Sequence, residues 1–79
     1  MPEVDAIRAQ LFALQDKEYQ IFNSRLMPTL PPETVIGVRV PLLRRLAKRL
    51  AGTPEAETFL QCLPHFYYEE NALHAFLLE

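Results

Sequence analysis

Five cationic side chains, Arg39, Arg44, Arg45, Lys48 and Arg49, fall within eleven residues, and no Asp or Glu lies between Thr34 and Pro54. A guanidinium group can grip two oxygens of one phosphate, and each phosphate neutralised releases condensed counterions, so such a cluster suits a nucleic-acid backbone. The competing reading is a solvated helix face that only keeps the chain in solution. Solvated faces usually alternate sign to gain pairs four residues apart, and here nothing alternates. The stretch carries +5 while the other three basic and ten acidic residues carry −7, so the net charge of −2 conceals the one region able to steer an anionic partner.

The other reactive residue types are sparse. Glu70 and His74 stand four apart and could hydrogen-bond or share a metal, but two ligands do not complete a site, and His65 lies across a proline turn. No metal site and no cofactor is expected. Cys62 is the single cysteine, which excludes an internal disulfide and a Cys-based zinc site; with no His at an activating spacing it reads as a small core residue. No catalytic residue is assigned. Tyr19, Tyr67 and Tyr68 can stack on bases or pack with their hydroxyls outward, and packing suits at least two of them. Glu69 falls at an angle between Phe76 and Leu73, an odd place for a carboxylate. Either the positive end of its own helix accounts for it, or a cation of the basic stretch does.

The elements that position these residues are helical. Val4, Ile7, Leu11 and Leu14 recur at spacings of three and four, which predicts a first helix over about 3–15. Asp16 caps a second over 17–27, with Tyr19, Phe22 and Leu26 as its stripe, and the two are expected to form an antiparallel hairpin. Pro28, Pro31, Pro32 and Pro41 forbid a helix across 28–41 and predict an ordered loop with one short turn, in which Gly37 takes a backbone angle that other residues resist. Val35 to Val40 has local strand propensity but no partner strand. Pro41 opens and Gly52 closes a third helix over 41–51. Thr53-Pro54-Glu55 starts a fourth over 54–63, and a fifth spans 66–78. The fold class is all-α.

At about 100° per residue, Leu42, Leu43, Leu46, Ala47 and Leu50 share an arc of about 140° on the third helix, and Arg44, Arg45, Lys48 and Arg49 fill much of the opposite side. A helix-turn-helix reader does not fit, because its second helix enters the groove and here that helix brings Glu55 and Glu57 and no cation. The fifth helix is apolar nearly all round, leaving only Glu70, Asn71 and His74 as a polar strip. It therefore expects further neighbours, either more helices of a longer protein or a second copy.

With 79 residues, 49% hydrophobic and 23% charged, the chain is one ordinary globular domain, not a disordered, collagenous or membrane-bundle protein. A fold of this size hides only about 60% of its unfolded surface, which leaves little room for a large active site. No apolar run approaches the roughly 18–20 residues of a membrane span, and the start is acidic rather than basic, so a cytoplasmic location is the expectation.

Two stretches resemble a known family: Ile36-Gly37-Val38-Arg39-Val40-Pro41-Leu42-Leu43-Arg44-Arg45-Leu46-Ala47-Lys48, and Leu63-Pro64-His65-Phe66-Tyr67-Tyr68-Glu69-Glu70-Asn71 with Leu73-His74-Ala75-Phe76-Leu77 after it. They are similar to the N-terminal part of the DNA alkylation repair proteins, HEAT-like helical-repeat DNA glycosylases, over about residues 11–78. The resemblance implies a stack of helix pairs with a basic concave surface for duplex DNA. It also implies hydrolytic release of N3- or N7-alkylated purines without metal or cofactor. The family's catalytic Asp, Trp and Arg belong to later repeats, and this chain has no Trp, so none of them is carried over. What transfers is a DNA-binding role for Arg39, Arg44, Arg45 and Lys48, to which the cationic face adds Arg49, with Tyr19 bordering the cleft. A helical-repeat module that docks on an acidic protein is the alternative reading.

Overall fold

The computed structural model describes residues 2–79. It holds five α-helices, α1 (Pro2–Ala13), α2 (Lys17–Leu26), α3 (Val40–Leu50), α4 (Pro54–Gln61) and α5 (Tyr68–Leu77), with a 3-10 turn at Pro32–Thr34 and no strand among the described residues. The all-α class and the five elements match the sequence pattern; several ends differ. α4 stops at Gln61, short of Pro64, and α5 starts two residues later than expected. The later start has a local cause: Glu70 folds back to accept hydrogen bonds from the amides of Phe66 (3.1 Å) and Tyr67 (3.0 Å), which fixes Tyr67 as the cap.

The caps read from sequence form as expected. Asp16 accepts from the Tyr19 amide at 3.1 Å, and Thr53 from the Ala56 amide at 3.2 Å. Ile7 and Leu11 of α1, Leu43 and Leu46 of α3, Phe59 of α4 and Leu73 of α5 make one continuous core. The pairing of helices departs from expectation. α1 packs on α4, and α3 on α5, with α4 also touching α5. The hairpin partner foreseen for α1, α2, buries no residue, and Phe22 and Leu26 of its stripe are 59% and 64% exposed. The wholly buried Phe59 and the small Ala56 give α4 the apolar face that α1 covers.

Between α2 and α3, Val35, Ile36, Gly37 and Val38 are all buried in an extended strap. A buried segment must satisfy its amides and carbonyls somewhere, and this one has no neighbouring strand. Its partners are mostly side chains. Glu69, fully buried on α5, accepts from the amides of Ile36 (2.8 Å), Gly37 (2.9 Å) and Val38 (3.4 Å). On the other edge Gln20 Nε2 donates to the Val35 carbonyl at 3.2 Å, Gln15 Nε2 to that of Ile36 at 3.0 Å, and the Asp16 amide to that of Gly37 at 2.8 Å. Gly37 has φ +93°, and a Cβ there would strike Gln20 Cβ and lie 2.8 Å from the Asp16 carbonyl oxygen, so both angle and space demand glycine. Glu69 does stand in the first turn of α5, as one account offered by the sequence has it, but its carboxylate binds backbone amides 31 to 33 residues away and not a cation of α3.

Candidate functional site

The buried face of α3 consists of Leu43, Leu46, Ala47 and Leu50, while Arg44, Arg45, Lys48 and Arg49 are exposed. Packing of α3 on α5 leaves a groove of about 660 Å³ between that cationic side and the last turn of α5. Arg44, Arg45 and Lys48 line one wall, and Phe76 and Leu77 the other. The guanidinium of Arg44 lies over the Phe76 ring, 4.5 Å from its centroid, a distance at which the ring's negative face attracts a cation. One carboxylate reaches the groove: Glu79 Oε2 is 3.7 Å from Arg44 Nη1, with both side chains more than half exposed. An exposed contact of that length contributes little. Lys48 and Arg49 also sit in the last turn of α3, where the negative end of the helix dipole favours cations.

The six residues assigned to DNA from sequence are divided among three places. Arg44, Arg45 and Lys48 share the groove. Arg49 projects about 140° round the helix from Arg44 and does not line it. Arg39 caps α3 and turns toward α2: Nη2 and Nε donate to Asp16 Oδ2 at 3.2 and 3.3 Å, and its guanidinium stacks 4.8 Å from the centroid of Tyr19. Arg39 and Tyr19 thus come together, away from the groove wall, and a carboxylate already answers Arg39. The Asp16 carboxyl is held below its ordinary range by the Tyr19 amide first and by Arg39 second. Neither Phe76 as a stacking surface nor Asp16 as the partner of Arg39 was foreseen from sequence, since both depend on contacts between distant segments.

The second cluster of titratable groups is built inward. Glu70, expected on the polar strip of α5, is fully buried and takes a fork from Arg8 of α1, Nε to Oε2 at 2.8 Å and Nη2 to Oε1 at 3.3 Å, besides its two capping amides. This hydrogen bond raises the Arg8 pKa above its ordinary value. His74 is not paired with Glu70; its Nδ1 faces His65 Nε2 at 2.9 Å, and the His65 ring stacks on Phe59 at 4.3 Å. Burial pushes His65 below its usual pKa, Glu70 opposes this, and His74 and Arg8 add to it. Among the described residues no three His, Cys, Asp or Glu side chains gather as a metal would require.

No helix among the described residues is long and apolar enough to cross a membrane. Comparison with protein-family models, with curated proteins and with solved structures gives no match.

Proposed function

We propose that the chain is the N-terminal helical-repeat segment of a cytoplasmic DNA alkylation repair glycosylase, and that it holds duplex DNA by its phosphates while the chemistry belongs to other parts of such a protein. The observation that carries this reading is the triad Arg44, Arg45 and Lys48, exposed on one wall of a groove with a single weakly held carboxylate beside it. Residues three and four apart on a helix stand about 5–6 Å from each other at Cβ, close enough for three cations to meet neighbouring phosphates of one strand. The two motifs that resemble the family contribute the groove's two walls, one carrying the triad and the other Phe76 and Leu77.

Duplex binding is expected to fall steeply with salt, because phosphate contacts act through counterion release. Arg44→Glu with Arg45→Glu should flatten the slope of log K against log salt by about two, read by fluorescence anisotropy at several salt concentrations. Binding that ignores salt, or no binding by the wild type, overturns the proposal. The chain alone is expected to release no base from DNA carrying N7-methylguanine, measured by chromatography of the soluble fraction. An acidic protein partner that binds through the same triad while duplex DNA does not would favour the interaction-module reading.

A further inference from the structure

The groove is more than a phosphate contact needs. Phosphates require cations at a surface, yet here the cations face Phe76 and Leu77 across a space of about 660 Å³, within the range of clefts that hold small ligands. Ala47 at 6% exposure adds an apolar floor. Between the two walls the Arg44 guanidinium lies over the Phe76 ring, 4.5 Å from its centroid, a planar cation backed by an aromatic ring. Such a plate stacks nucleobases, since every base offers a π-face and a guanidinium can lie parallel to it.

We infer that the groove between α3 and α5 seats one unpaired nucleotide, with its base on the Arg44 plate over Phe76 and its flanking phosphates on Arg45 and Lys48. The ligand class is therefore single-stranded DNA, or a frayed or gapped end of a duplex. The inference rests on the nucleic-acid reading of the triad but asks more of it, because a duplex backbone supplies phosphates and no free base.

The test uses the 79-residue chain and three labelled probes: a ten-nucleotide oligo-dT, a ten-unit abasic strand of the same charge, and a blunt duplex. Oligo-dT is expected to bind about fivefold or more tighter than the abasic strand. Arg44→Lys keeps the charge and loses the plate; at a side chain 58% exposed it should not disturb folding. It is expected to erase most of the oligo-dT advantage over the abasic strand, whose charge is the same. Equal binding of oligo-dT and the abasic strand by the wild type overturns the inference and leaves duplex binding standing. An unchanged preference in Arg44→Lys overturns it as well. No binding of any probe overturns this inference and the duplex reading together, and displacement of oligo-dT by an acidic peptide at equal charge concentration shows a groove that selects for anions and not for bases.

Discussion

The two packed helices α3 and α5 handle charge in opposite ways. α5 buries two carboxylates completely, Glu69 and Glu70, and together they accept from five backbone amides and one guanidinium. α3 exposes four cations, and only Arg44 among them meets a carboxylate, at 3.7 Å. Burying a charge is tolerable only when it is nearly saturated with donors, so the α5 acids are committed to the fold. The α3 cations remain solvated and available to a ligand. A difference in charge alone would not separate structural from functional groups here; the difference in burial and partners does.

The sharpest way to break this comparison is to remove Glu69. Glu69→Ala leaves the Ile36 and Gly37 amides, and the more distant Val38 amide, buried without an acceptor, at a cost of at least about 3 kcal/mol. A domain of this size has only about 4–12 kcal/mol in total, so a large drop in urea midpoint, or loss of the folded state, is expected by circular dichroism. Unfolding at the wild-type urea concentration would mean that the strap is not held by that carboxylate.

His65 probes the buried side more gently. Its folded pKa lies below the usual 6.5 because burial disfavours the cation, so as pH falls the unfolded chain takes up the proton first. The contribution of His65 is thus fully present above about pH 6.5 and is lost as pH drops through the folded value. The melting temperature should decline between pH 7 and pH 5, and His65→Gln should flatten that decline. An equally steep decline in the variant would assign it to other groups.

The smallest effect is expected on the exposed side. Arg45→Gln, Lys48→Gln and Arg49→Gln combined should lower stability by about 1 kcal/mol at most in chemical denaturation, chiefly through Lys48 and Arg49 at the negative end of α3. A loss of 2 kcal/mol, on the order of a buried hydrogen-bond network, would show these cations to be structural after all.

What the sequence made legible follows from what is local. α3 was readable because Pro41, Gly52 and the leucine spacing all lie within the helix or two residues beyond it, and the Asp16 and Thr53 caps act on amides three residues away. The assignment of α1 to α2 as a hairpin followed chain adjacency, and tertiary burial overrode it when Phe59 offered a better surface. The role of Glu69 was hidden because its partners are backbone amides, which carry no residue signature, more than thirty positions upstream. The cationic face was legible from charge, but its division was not. Asp16 claims Arg39 from 23 residues away, and Phe76 meets Arg44 only after α5 docks on α3.

The strap also sets how the molecule comes apart. Because Glu69 grips its amides from α5 while Gln15, Asp16 and Gln20 hold its carbonyls from the α1–α2 junction, the strap cannot open without loosening both ends of the chain. The amides of Ile36 and Gly37 should exchange with deuterium only through complete unfolding, among the slowest in the protein. The latter half of α2, which holds no buried residue, should open as a weaker unit, its amides exchanging early and its backbone cut first by a protease.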